Sequence, residues 1–142
     1  MRQDSPASPL SHVDLLRRAA DGVSARVEEI LRGADLTLDQ WRVLCTLDGQ
    51  GPLSMSDLGA RTRITGPTVT RVVDRLAERS LLYRNVDATD RRRVLVLVGD
   101  RGRALCRSLG PRILAAEQSA LSALSDTEAS TLRRLLERLA TT

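Results

Sequence analysis

A chain of 142 residues with 42% hydrophobic content has the size and the apolar material of one domain. Trp41 and Tyr83 are its aromatic residues and phenylalanine is absent, so the interior must be built from Leu, Val, Ile and Ala, which favours packed helices over an aromatic-anchored β-sandwich. The formal charge is +4, yet between Ser54 and Arg103 eleven arginines stand against six acidic residues, so the basic excess is confined to one block, the distribution expected of a nucleic-acid-binding module.

The same composition excludes several classes. Cys45 and Cys106 fit no CxxC spacing and His12 is the sole histidine, so neither a metal nor another cofactor is expected. No Ser-His-Asp set or Gly-rich phosphate loop supports an enzyme. The N-terminus lacks the apolar stretch of a leader, and no run approaches the ~20 apolar residues that span a bilayer. The expectation is a cytoplasmic protein with reduced thiols and no membrane partner.

Residues 1–9 are polar, contain two prolines and read as a flexible arm; residues 10–142 read as a single domain. Ser11 with Asp14 forms a capping-box pattern, after which Leu16, Ala19, Ala20, Val23, Val27, Ile30 and Leu31 recur at helical spacing. Thr37 with Gln40 starts a second helix carrying Trp41, Leu44, Cys45 and Leu47 on one face, and Gly49, Gly51 and Pro52 end it. Ser54 and Asp57 open a short third helix that stops near Thr62. A fourth begins almost at once, with Thr65 as N-cap, Pro67 in the first turn, and Val69, Val72, Val73 and Leu76 as its apolar stripe. Two helices separated by so short a turn are the helix-turn-helix pattern.

Beyond Leu81 the apolar period changes from that of a helix to that of a strand. Tyr83–Val86 and Val94–Val98 alternate, and the charged residues 87–93 between them read as a hairpin tip, a wing beside the fourth helix. From Arg101 the pattern is helical again, with Leu105, Leu109, Ile113 and Leu114, but Gly110 and Pro111 are expected to kink or break it. Ser125 and Glu128 then cap a last helix carrying Leu132, Leu135, Leu136 and Leu139. The fold class is therefore mainly α with a small β-hairpin wing: a winged helix-turn-helix lobe over residues 37–99, flanked by N- and C-terminal helices over 10–34 and 101–142. The apolar faces of those flanking helices exceed what so small a lobe can bury, which calls for a second copy of the chain as dimerisation partner.

On the fourth helix, Pro67, Arg71, Asp74 and Glu78 lie nearly opposite the apolar stripe, with Thr68, Thr70 and Arg75 on its flanks. Thr68 and Thr70 can hydrogen-bond base edges or touch thymine methyls, and Arg71 can fork onto guanine O6 and N7. Arg75 and Arg79 lie farther back, where they suit phosphate. At the wing tip Arg91, Arg92 and Arg93 can reach a narrow minor groove, and Asp90 is expected to pair with a neighbouring arginine and hold the loop.

The run DATDRRRVLVLVGDRG resembles the wing signature of the MarR family, DxRxxxVxL(T/S)xxG, through Asp90, Arg92, Val96, Val98 and Gly102. LTLDQWRVL, LSMSDLGARTRI and GPTVTRVVDRLAERSLL resemble that family's second, third and recognition helices. Gly99 stands where the family has Thr or Ser, which removes the hydroxyl that would cap the next helix. The resemblance implies a homodimeric regulator, commonly a repressor, whose two lobes bind a pseudo-palindromic double-stranded DNA operator. It implies that Gly66 and the residues through Arg71 meet the major groove and that Arg92 enters the minor groove. It also implies a crevice for a small anionic or phenolic effector, bordered by helices that carry His12, Arg17, Trp41, Arg42 and Cys45. Trp41 and Cys45 also read as core residues, the commoner role for such side chains, and His12 as a plain surface or interface one. Two alternatives stay open: a thiol redox sensor, disfavoured because both cysteines fall on apolar faces, and a helical protein-interaction dimer without DNA activity, disfavoured by the basic block.

Overall fold

The computed structural model describes residues 10–141; the expected arm over residues 1–9 lies outside the described residues. In chain order the elements are α1 (His12–Gly33), α2 (Leu38–Gln50), β1 (Leu53–Ser54), α3 (Met55–Thr62), α4 (Gly66–Glu78), β2 (Leu82–Val86), β3 (Val94–Val98), α5 (Asp100–Ala120) and α6 (Asp126–Ala140). The architecture is mainly helical with a winged helix-turn-helix lobe, as the hydrophobic pattern required. The strands form one antiparallel sheet in the order β1-β3-β2, with Leu53 opposite Val96 and Leu82 opposite Val98. β1 was not anticipated, because two residues are too few to display alternation.

Local chemistry explains where the helices start. Ser11, Thr37 and Ser125 each accept the N–H of the residue three positions on, while Asp14, Gln40 and Glu128 reach back to the cap residue's own N–H, closing three reciprocal boxes. Ser54 makes only the forward half of that arrangement, accepting from the Asp57 N–H. Thr65 takes the extended cap conformation without capping through its side chain. α5 starts at Asp100 behind Gly99, likewise without a side-chain cap.

One core joins the lobe to the flanking helices. Val43, Leu44 and Leu47 of α2, Leu58 of α3, Val73 and Leu76 of α4, and Leu82 and Val96 of the sheet are all fully buried, and Val27 and Leu31 of α1 with Cys106, Leu109 and Ile113 of α5 pack into the same cluster. A buried Leu or Val of this kind stabilises the fold by roughly 1.5–3 kcal/mol relative to exposure. The lobe thus covers more of α1 and α5 than the sequence pattern implied. What stays largely uncovered is the N-terminal half of α1 and most of α6, which buries none of its described side chains fully.

The expected break at Pro111 does not occur: α5 runs through it. Proline strands the carbonyl of Arg107 four residues earlier, but that residue and Pro111 are both exposed, so water can satisfy the oxygen. Gly110 has no Cβ to clash with the proline ring in helical conformation, and Leu109 and Ile113, buried on either side, hold the helix on course.

The junction after α4 sets the spacing between recognition helix, wing and α5. Ser80 adopts φ 57° and lets the chain turn back, so that the Leu81 N–H reaches the Leu76 carbonyl at 3.0 Å. The Leu81 carbonyl in turn accepts the Gly99 N–H at 2.9 Å. α5 passes so close that a Cβ on Gly102 would lie 2.1 Å from that same oxygen and 2.8 Å from Val98 Cγ2.

Two expected outcomes follow from this packing and capping. Gly102→Ala should destabilise the protein by about 1–3 kcal/mol or more, whereas Gly49→Ala, with nothing within 4 Å, should be neutral or gain up to about 1 kcal/mol in chemical denaturation; equal effects would refute the close contact. The Ser125 N–H and hydroxyl hold the Glu128 carboxyl below its ordinary 4.5. That contribution is present above pH 4.5 and is lost as pH falls through the lowered folded value, so Glu128 should titrate below its ordinary position by NMR, and Ser125→Ala, which removes the hydroxyl but keeps the backbone donor, should move it only part of the way back.

Candidate nucleic-acid interface

α4 turns Val69, Val72, Val73 and Leu76 into the core and leaves Pro67, Thr70, Arg71, Asp74 and Arg75 in solvent. Its first turn carries no acidic residue and no side-chain cap. The Thr65 hydroxyl instead donates to the Thr68 hydroxyl at 3.0 Å, so the positive end of the helix is left uncompensated, a favourable setting for phosphate. The Thr70 hydroxyl donates to the Gly66 carbonyl at 3.1 Å, which leaves its lone pairs to accept from a base amine. Arg71 and Arg75 have exposed guanidinium groups with no partner among the described residues.

Two ion pairs lock the wing beside α4. Asp74 of α4 pairs closely with Arg84 of β2, and Arg93 at the wing base pairs with Asp57 of α3 at 2.9 Å. All four side chains are a third to a half exposed, so each pair contributes only about 0–1 kcal/mol; their value is in orientation. Sequence spacing gave no sign of either partner.

Within the wing loop, the Asp87 N–H reaches the Arg93 carbonyl at 2.8 Å and the Arg93 N–H reaches the Asp90 carbonyl at 3.0 Å. The Thr89 N–H and hydroxyl both donate to the Asp87 carboxylate and hold it below its ordinary range. Asp90 does shape the loop, but it accepts the backbone N–H of Arg92 at 3.0 Å rather than pairing with an arginine head group. With Arg93 committed to Asp57, Arg91 and Arg92 are the wing arginines left exposed without a partner among the described residues. Arg79 departs from its expected phosphate role: it donates to the carbonyls of Ala34 and Asp35 at 3.0 and 2.5 Å, closing the C-terminal end of α1.

On another side of the lobe a cleft of about 490 Å³ lies between α1, α2, α3 and α5. Trp41, Arg42 and Cys45 line it, together with Arg61, Glu117 and Val23. His12 and Arg17 are exposed and are not among its lining residues; α1 reaches the cleft only from Val23 onward. Trp41 serves both core and cleft, being 9% exposed. Cys45, expected on a buried face, is exposed, whereas Cys106 is buried. Among the described residues no group of three or more His, Cys, Asp or Glu could hold a metal, and no helix is long and apolar enough to cross a membrane.

Comparison with known proteins agrees with this geometry. Residues 34–93 match the sequence profile of the MarR family. BpsR of Bordetella bronchiseptica, whose DNA binding is regulated by 6-hydroxynicotinic acid, is 33% identical, with 94% of this chain and 99% of that one covered and a TM-score of 0.84. A probable transcriptional regulator from Pseudomonas aeruginosa is 35% identical over 91% of this chain and 96% of its own, with a TM-score of 0.81. The transcriptional repressor NicR of Pseudomonas putida is 29% identical over 125 residues, 88% of this chain and 79% of the relative. With the winged lobe, the partnerless arginines and these relatives in view, the chain belongs to the MarR family and is a DNA-binding transcription regulator.

Proposed function

We propose that the chain acts as a homodimeric, ligand-released repressor on a pseudo-palindromic operator. The observation that carries this reading is the display of partnerless arginines, Arg71 and Arg75 on α4 and Arg91 and Arg92 on the wing, while Leu135, Leu136 and Leu139 of α6 stay uncovered. Leu136 and Leu139 are 43% and 64% exposed, and Leu15 and Leu16 of α1 are 51% and 46% exposed. A second copy of the chain, pairing residues 10–34 and 101–142 with their equivalents, would remove these surfaces from water.

In this reading the first turn of α4, from Gly66 and Pro67 through Thr68 and Thr70, enters the major groove. Arg71 forks onto a guanine and Arg75 holds phosphate. Arg92, backed by Arg91, enters the flanking minor groove, where the negative potential of a narrow groove attracts a guanidinium. Arg93 contributes by fixing the wing root through Asp57 rather than by reaching the duplex.

The cleft suits an effector. Its volume falls within the range of small-molecule sites, Trp41 offers an aromatic edge, and Arg61 together with Arg42, which also pairs with Asp39 at 3.2 Å, offers guanidinium donors to the carboxylate of an aromatic acid. Such a ligand bridges the scaffold helices α1 and α5 to lobe helices α2 and α3, so it shifts the lobe only as far as it binds one lobe position better than another. The regulation of BpsR by 6-hydroxynicotinic acid supports this class of ligand.

The test is to select bound sequences from a random DNA pool and then challenge the complex with small aromatic acids, 6-hydroxynicotinic acid first. Release from the operator with a change in the fluorescence of Trp41 is expected; an effector that frees the DNA without disturbing Trp41 would place the site elsewhere. Arg71→Ala should cost about 1–3 kcal/mol at one base position per half-site, and Arg92→Ala should weaken binding with the melting temperature unchanged. Equal losses on selected and random DNA would reduce Arg71 to a phosphate clamp.

A further inference from the structure

Two valines on the wing are left in solvent. Val86, the last residue of β2, is 58% exposed, and Val94, the first of β3, is 42% exposed. They stand opposite each other across the hairpin, and the register puts them on the same side of the sheet as the Arg84 and Val96 pair and the Leu82 and Val98 pair. On that side Leu82, Val96 and Val98 are buried, and Arg84 reaches Asp74 of α4. The two valines therefore face the side of the recognition helix, about 6.6 Å, or two strand residues, beyond the ion pair that joins helix to wing.

Followed outward from the turn at Ser80 and Leu81, α4 passes Asp74 and then, one helical turn on, Thr70 and Arg71, while β2 passes Arg84 and then Val86. The Asp74 and Arg84 pair ties these two arms together. Outside the tie lies a notch with Thr70 and Arg71 on one wall and Val86 and Val94 on the other.

We propose that this apolar wall seats the sugar face of the DNA strand that crosses from the groove read by α4 to the groove read by the wing, and that Val86 and Val94 thereby select 2′-deoxyribose over ribose. The inference rests on α4 and the wing entering adjacent grooves of one duplex, and it adds a contact to the strand between them.

Charge and chemistry name the occupant. Arg71 on α4 and Arg91 and Arg92 at the wing tip border the notch without a partner among the described residues, and the acid on its floor, Asp74, is taken up by Arg84. An anionic strand suits that border. A second copy of the chain does not, because it would press arginine against arginine. A nucleic-acid strand presents phosphate oxygens to the guanidinium groups and the C–H edges of its sugars in the intervals between them. Valine has no side-chain donor or acceptor, so it packs on those C–H edges. A 2′-hydroxyl brought against it loses its water and gains no hydrogen bond in return, and that hydroxyl is the group by which a protein tells RNA from DNA.

The experiment uses the full chain and its selected operator. Val86→Thr combined with Val94→Thr keeps two β-branched side chains at exposed positions and replaces one methyl of each by a hydroxyl. The melting temperature should stay at that of the parent, while operator affinity should fall about fourfold to fifteenfold, the loss of one or two buried methyl groups. The slope of affinity against salt should not change, because no phosphate contact is removed. Single ribonucleotides stepped along each operator strand should weaken the parent at the sugars between its major-groove and minor-groove contacts, and the double variant should tolerate ribose at those same positions. Should the threonines disturb the hairpin, Val86→Ala, which only shortens the wall, should show a loss of affinity with the same unchanged salt slope. Unchanged or tighter operator binding by the variants, a shallower salt slope, or equal sensitivity to ribose in parent and double variant would each overturn the assignment while leaving the groove reading in place. A parent chain that binds no duplex would overturn the groove reading and this contact together.

Discussion

The carbonyl of Leu81, pressed against the bare Cα of Gly102, is the contact on which the rest of the molecule depends. Four elements end or begin within a few residues of it: α4 closes through the Leu81 N–H, β2 starts at Leu82, β3 ends at Val98, and α5 starts after Gly99. Any side chain at residue 102 would push α5 away from the wing base. The recognition helix and the wing are therefore not two appendages but one body, joined at the wing base to the start of α5 by backbone contacts.

Around that body the arginines divide by what surrounds them. Arg79, Arg84 and Arg93 are committed inside the chain, to the end of α1, to Asp74 and to Asp57. Arg71, Arg75, Arg91 and Arg92 have no such partner among the described residues. The first set shapes the surface and the second supplies its field. Because the shaping pairs are exposed, they weaken in salt along with phosphate attraction, and the backbone contacts at Leu81 and Asp90 are what keep the reader in shape when charge is screened.

Legibility followed the range of each interaction. The capping boxes at Ser11, Thr37 and Ser125, the stripe of α4 and the alternation of β2 and β3 are written within a few residues and could be read directly. The partners of Arg93 and Arg79 could not, because each is set by how separate elements pack. Arg93 looked like another wing-tip cation until Asp57 was seen beneath it. Pro111 misled for a related reason: its cost depends on whether the stranded carbonyl meets water, which periodicity does not reveal. The wing motif named Gly102 as a family position, but only the 2.1 Å approach of Leu81 explains why glycine is needed there.

The cleft lies where the scaffold and the lobe meet, so a small molecule there would act where α2 packs on α5. It acts on DNA only if the lobe reads a duplex as a rigid pair of helix and wing, carried twice. Chemical footprinting of a selected operator tests that most directly: guanine N7 protection in two half-sites centred about 10 base pairs apart, each flanked by minor-groove sugar protection, is the predicted pattern. A single protected patch, or major-groove protection without the flanking minor-groove signal, would contradict it.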